Sequence, residues 1–262
     1  MVSAARSRGV LKVVVPPVLA VLAVIALWQI ASDQGWVPTD TLPSPARVAE
    51  QAWLNRDDLL TNARPTVEAT LFGFCLSVAA AVLIAALLDF SMVLRRAVLP
   101  LLIVSQTLPI IAIAPLMILW FGFDLTPKIL LVAFVTFFPM VVSLLQGFGS
   151  ADPDAEKLLR TMGASRWQVF RLVRLHTAIP YFFSGLRVSI TYAVVAAIFA
   201  EYAGATSGLG VYMMAAKNAF RTDLVLAAVF VSSALTLILF AIVAIVERLA
   251  VPWLRIEQGK DR

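Results

Sequence analysis

The sequence is poor in the groups that usually carry chemistry. It has one cysteine, Cys75, and one histidine, His176. That count excludes an intrachain disulfide and leaves no spacing for a cysteine–histidine metal site. Cys75 lies in an apolar run and is expected to be a small buried residue. His176, four residues before Pro180, has no partner for a triad. No G-x-x-x-x-G-K-[ST] occurs: Gly259-Lys260 is followed by Asp261. The chain therefore has no phosphate-cradling loop of its own. G-x-S-x-G, H-E-x-x-H and C-x-x-C are missing too. Charge is scarce, at 14% of residues. Soluble domains carry roughly 25%. The net charge of +5 is spread along the chain. It reads as membrane-flanking charge, not a nucleic-acid patch.

What is abundant is apolar sequence. Hydrophobic residues make up 61% of the 262, with a mean hydropathy of +0.90. Single runs exceed the roughly 18 residues that mark a spanning helix. The expectation is an all-α polytopic membrane protein with six transmembrane helices, at about Val13–Ala31, Pro65–Leu88, Ala97–Phe121, Ile129–Gly149, Ser184–Ala203 and Leu224–Val246. The first follows basic Arg6, Arg8 and Lys12. It is too long for a signal core and no A-x-A site follows it, so it reads as an uncleaved span. Between the first two spans lies a proline-dotted segment that reads as an external connector, with a short surface helix at Ala46–Leu60 as the alternative. The chain divides into 1–62 (first span and external connector), a core at 63–250 and a tail at 251–262. With the N-terminus inside, fifteen of the 21 lysines and arginines fall on the inner side. That bias places both termini and the loop at 150–184 in the cytoplasm.

This loop is the longest polar interruption in the second half of the chain. Ala155, Leu158, Leu159 and Met162 recur at i, i+3, i+4 and i+7, giving one apolar helical face. Asp152 can cap this helix and Pro153 fits its first turn. Asp154 and Glu156 sit near its positive end. Gly163 supplies a stop, and Ser165 can cap a second helix, Arg166–Leu175, that Pro180 ends. Polar groups at membrane depth tend to face partners or water-filled cavities. The pathway candidates on that ground are Gln106 and Thr107 in the third span, Thr191 and Tyr192 in the fifth, and Glu201. Pro109 and Pro115 loosen the third helix, as suits a moving gate. The plainer alternatives are helix–helix hydrogen bonding for Gln106 and Thr107, and an interfacial pairing of Glu201 with Lys217 or Arg221.

The loop resembles the conserved cytoplasmic loop of permease subunits of bacterial ATP-binding-cassette (ABC) importers with the type I fold. Gly163, Ala164-Ser165, Arg166-Trp167, Phe170, Pro180 and Ser184–Arg187 follow the family pattern. Lys157-Leu158-Leu159 stands where the family has Glu-Ala-Ala, with Glu156 one place early. Gln106–Gly122 and Ala200–Met214 resemble the nitrate/sulfonate/taurine branch. Within it, the third and fourth spans look most like permeases for thiamine-precursor pyrimidines, with riboflavin permeases close by. The resemblance implies a transport subunit that is not an enzyme, paired with a second copy. It also implies two ABC ATPases, which bind the ATP and Mg, and an extracytoplasmic substrate-binding protein. No cofactor is implied for this chain, nor any nucleic acid. The docking element on each ATPase would be about Asp154–Trp167: Ala155, Leu158, Leu159 and Met162 fill the cleft, Glu156 and Arg160 give polar rim contacts, and Gly163 permits the turn into Ala164, Ser165 and Trp167. Substrates implied as alternatives are sulfonates, taurine, nitrate or riboflavin. An ATP-independent secondary transporter is the alternative class, and it predicts inverted repeats or more buried charge.

Overall fold

The computed structural model describes residues 2–38 and 41–252, with side chains from residue 15 onward. The basic residues at positions 6, 8 and 12, the terminal Lys260 and Asp261, and most of the tail at 251–262 lie outside the described side chains. Among the described residues every regular element is helical. In chain order these are α1 (Val2–Asp33), α2 (Pro45–Leu54), α3 (Arg56–Phe90), α4 (Met92–Thr107), α5 (Ile110–Phe121), α6 (Leu125–Gly149), α7 (Pro153–Thr161), α8 (Arg166–Val169), α9 (Leu175–Tyr202), α10 (Leu209–Asn218) and α11 (Thr222–Ala250). A π-helical turn at Phe170–Arg174 joins α8 to α9. Five stretches are long and apolar enough to cross a bilayer, or six if the bent pair α4–α5 counts as one span.

Three sequence expectations need correction. The third span is not one run from Ala97 to Phe121: α4 and α5 meet at 101°. Pro109 disfavours helix at the residue before it. Leu108 is accordingly extended, at φ -73° and ψ 126°. The fifth span is not separate from the loop helix. Pro180 does not end the helix; the chain stays helical from Arg166 to Tyr202. Neighbouring helices tolerate a missing N–H of this kind in a membrane protein. The connector helix stops at Leu54, where Asn55 caps it, and Leu60 already belongs to α3.

The chain forms two compact units. The first comprises residues 1–59 and 212–230. Within it, Trp28 Nε1 donates to the Pro43 carbonyl at 3.1 Å, tying the residues just before α2 to α1. Arg47 and Arg221 both pair with Asp223, at 3.4 and 3.0 Å. The second unit comprises residues 60–211 and 231–262 and contains the core. Its centre is the crossing of α6 and α9, made close by small residues. A Cβ on Gly147 would stand 2.8 Å from the Ala178 Cα, and one on Gly185 would stand 2.9 Å from the Ser143 Cβ. Ser189 Oγ donates to the Thr136 carbonyl at 2.9 Å across the same interface. Helices in lipid associate through such close packing and buried hydrogen bonds, since apolar burial alone does not favour protein over lipid. Cys75 is exposed on α3, not buried as expected: its apolar surroundings are a face of the helix turned outward.

Candidate functional site

At the end of α6 the chain leaves the apolar core and forms α7. Asp152 caps it, its Oδ1 accepting from the Asp154 N–H at 2.9 Å, and Pro153 opens the first turn. After Thr161 the backbone turns at Gly163, whose φ is +84°. Glycine enters that region without the steric penalty other residues meet. Ser165 then forms a capping box with Gln168. Each side chain there satisfies a backbone N–H that the helix start leaves open. The apolar positions of α7 divide. Ala155 and Leu159 are half-buried against the chain, whereas Leu158 (62% exposed) and Met162 (74%) point outward. Trp167 is also largely exposed, with one ring face stacked on Phe90 and Phe170. Arg160 is exposed, Ala164 half-buried, and Ser165 exposed.

Glu156 does not sit on the rim. Its carboxylate turns inward and accepts from Arg174 Nε at 2.7 Å and Nη2 at 3.0 Å. The same guanidinium donates from Nη1 to both oxygens of Asp89, at 2.8 and 2.9 Å. The hydrogen bonds from Arg174 hold the Glu156 carboxyl below its usual range. A donor that bonds the charged form favours it. The expectation of a rim contact counted only helical periodicity. The partner, Arg174, lies far along the chain in the π-turn, and Asp89 stands at the end of α3.

The polar candidates in the spans separate into two places. Gln106 and Tyr192 line one groove of about 510 Å³, with Ile110, Val135, Phe138, Pro139, Val142, Ser143, Gln146 and Val188. Its polar ends are two carboxamides, a serine hydroxyl and a phenol, with no ionic side chain. Pro139 lacks an N–H, so the Val135 carbonyl one turn earlier has no intrahelical donor. Ser143 and Gln146 were missed in the sequence, although Val135, Pro139, Val142 and Gln146 recur at helical spacing. Thr107 is not in the groove; its hydroxyl donates to the Val104 carbonyl of its own helix at 2.8 Å. Pro109 follows Leu108 in the α4–α5 corner and is the N-cap residue of α5.

Glu201 lies elsewhere, 1% exposed near the end of α9. Its partners are neither Lys217 nor Arg221. Thr66 Oγ1 donates to one carboxylate oxygen at 2.7 Å, and the Gly210 N–H donates to the other at 2.8 Å. The Leu209 N–H donates to Thr66 Oγ1 at 2.9 Å, and Lys128 Nζ donates to the Ser207 carbonyl at 2.8 Å. The glycine-rich turn 204–210 thus closes over a buried carboxylate, which a binary hydropathy pattern cannot show.

Comparison with known proteins shows the family and the fold. Residues 74–251 match the family described as binding-protein-dependent transport system inner membrane component. A formylaminopyrimidine transport permease protein of Halalkalibacterium halodurans is 32% identical over 90% of this chain and 95% of its own. A riboflavin transport system permease protein of Chloroflexus aurantiacus is 32% identical over 90% and 88%. A taurine transport system permease protein of Escherichia coli is 31% identical over 90% and 87%. Two solved structures share the fold. An amino acid ABC transporter has a TM-score of 0.62 at 16% identity, covering 76% of this chain and 96% of that one. A bacterial ABC transporter involved in alginate import has a TM-score of 0.56 at 17% identity, covering 93% and 96%.

Proposed function

Starting from the fact that the chain belongs to the binding-protein-dependent transport system inner membrane component family, we propose that it pairs with a second copy of itself to form the solute pathway of an ATP-driven importer. Two ATPase subunits supply the energy and bind the nucleotide. An extracytoplasmic binding protein delivers the solute. Both termini and α7 face the cytoplasm, in keeping with the bias of lysine and arginine. The exposed part of α7, Leu158 and Met162 with neighbouring Trp167, is the surface that enters a cleft on the ATPase. Arg160 flanks it, and Gly163 sets the angle at which α8 departs. Closure of the ATPase pair displaces α7 and tips the spans between inward-facing and outward-facing states.

The solute is a small neutral ring compound of the thiamine-precursor pyrimidine type. The groove of Gln106, Ser143, Gln146 and Tyr192 supports this reading, because all four ends are uncharged. Carboxamides present a donor and an acceptor side by side, which suits the edge of an aminopyrimidine. A sulfonate or taurine would meet no cation there. The groove, at about 510 Å³, is large enough for such a ring. Small-molecule sites fall in the same size range.

The carrying observation is the family match across most of the chain. The test is purification of the intact complex followed by uptake in proteoliposomes. The expected result is that an ATPase subunit co-purifies and that uptake of formylaminopyrimidine requires ATP. Uptake that persists with no ATPase present would overturn the importer reading. ATP-dependent uptake of taurine with none of the pyrimidine would overturn the solute alone.

A further inference from the structure

The second unit contains a cation that answers two carboxylates at once. Arg174 uses Nε, Nη1 and Nη2 in four hydrogen bonds of 2.7–3.0 Å, two to Glu156 and two to Asp89. The side chains are largely enclosed: Asp89 is 6% exposed, Glu156 13% and Arg174 27%. Each of the three belongs to a different element. Glu156 is on α7, Asp89 is the penultimate residue of α3, and Arg174 closes the π-turn that leads into α9. Asp89 stands at the negative end of its helix, where an anion is unfavourable, so Arg174 also offsets an intrinsic cost of ending α3 that way. A π-turn inserts one residue and re-aims the side chains around it, and such turns are frequent at functional positions.

Nearer its start, α3 is held to the same long helix a second time. There Thr66 donates to Glu201. Thr66 and Asp89 are separated by roughly 35 Å of helix, at a rise of about 1.5 Å for each residue. Helix α3 is therefore joined at two places to the continuous helix that runs from Arg166 to Tyr202, by Asp89 to Arg174 and by Thr66 to Glu201. Helix α7 has its own polar tie to this pair through Glu156. Among the described residues, the other contacts between charged side chains of α7, Lys157 to Asp154 and Arg160 to Glu156, stay within the helix.

We propose that Arg174 is a positioning residue for transport: its fork locks α7 to α3 and α9, so that displacement of α7 moves both helices as one body. The inference rests on the reading of α7 as the element that an ATPase displaces. In this chain Glu156, one place before the position where the family has its glutamate, serves the internal link, leaving Leu158 and Met162 as the outward surface. Lysine is a poor substitute for Arg174, because an ammonium is a point charge and cannot bond two carboxylates bidentately.

The test uses the whole complex in proteoliposomes and reads solute carried per ATP hydrolysed. Asp89→Asn removes the charge and one of the two acceptor oxygens from the tie to α3 and leaves Arg174 paired with Glu156; Glu156→Gln does the same to the tie to α7 and leaves Arg174 paired with Asp89. Each is expected to lower the ratio by at least about fivefold, the low end of ordinary coupling between sites. The double variant is expected to be no worse than either single one, because the two ties act in series. Asp89→Glu and Arg174→Lys keep the charges and so favour an intact fold; both are expected to lower the ratio as well. A ratio equal to the wild type in all five, with uptake and hydrolysis falling together, overturns the proposal and makes the cluster a purely structural one. If the unaltered complex shows no link between ATP and uptake, the importer reading falls, and this inference with it.

Discussion

Thr66 and Glu201 meet across 135 residues of chain, the hydroxyl donating to the carboxylate at 2.7 Å with both side chains buried. The same hydroxyl accepts from the Leu209 N–H at 2.9 Å. Thr66→Val keeps the shape and removes the hydroxyl, leaving a carboxylate oxygen and a backbone N–H without it. The expected loss is about 1–3 kcal/mol. It is read as a lower unfolding midpoint in detergent, with Thr66→Ser restoring most of it. An unchanged midpoint for the valine variant would show that the pair is not stabilising.

The Glu156–Arg174 pair sets a pH dependence with a defined sign. Hydrogen bonding to Arg174 depresses the folded-state pKa of Glu156 below its ordinary 4.5. A depressed carboxylate contributes stability that is fully present above the unfolded value and is lost as pH falls through the folded one. Protection of the α7 amides against hydrogen exchange, corrected for intrinsic rates, is therefore expected to be flat from about pH 7 to about 5. It is expected to decline below about 4.5. Glu156→Gln should abolish that decline.

Local chemistry was legible in the sequence and distant partnership was not. Asp152, Pro153, Gly163 and Ser165 mark the ends of α7 and α8 because a cap or a positive φ depends on a few neighbouring atoms. The break at Leu108 was read only as a loosening of one span: Ser105, Gln106, Thr107 and Pro109 mark the corner, but the apolar runs on both sides let hydropathy add up across it. Glu156 was misplaced because helical periodicity says which face a residue is on, not that Arg174 and Asp89 lie beneath it. The groove was half read: Gln106 and Tyr192 stood out as polar, while Ser143 and Gln146 were hidden in α6 among apolar neighbours. Thr107 satisfied itself on its own backbone, and Glu201 was claimed by a turn whose closure no local signal predicts.

Replacing both carboxamides of the groove tests the solute reading. Gln106→Leu with Gln146→Leu keeps comparable size and removes two donor–acceptor pairs. Each lost hydrogen bond is worth about 0.5–1.5 kcal/mol. The pair together should raise the KM for the pyrimidine by about tenfold, since about 1.4 kcal/mol is a factor of ten. Uptake kinetics in proteoliposomes give the value. A KM unchanged in this variant places the solute elsewhere.

Gly163 isolates a backbone requirement. Its φ is +84°, and no atom outside its neighbours lies within 4 Å of where a Cβ would be. Gly163→Val therefore costs conformational energy alone, about 1–3 kcal/mol for a side chain held in a sparsely populated region. The chain is expected to relieve that strain by re-angling α8 relative to α7. ATP hydrolysis should persist while uptake falls. Equal uptake per ATP in the valine variant would show that the turn angle does not matter to transport.

Two glycines near the end of α6 give a matched pair for the helix crossing. A Cβ on Gly147 would stand 2.8 Å from the Ala178 Cα and 2.9 Å from the Tyr181 Cβ, closer than real Cβ atoms come. One on Gly149, two residues further on, would meet nothing within 4 Å. Gly149→Ala removes only glycine's entropic disadvantage in a helix, so stability should hold or rise by up to about 1 kcal/mol. Gly147→Ala carries the same gain but must push α9 off α6, and overpacking of a tight interface costs typically about 1–3 kcal/mol. The two variants should therefore differ in unfolding midpoint, Gly147→Ala lower and Gly149→Ala level or higher. Equal midpoints would mean that α6 and α9 separate without loss, and that the small residues along their crossing are not what holds them together.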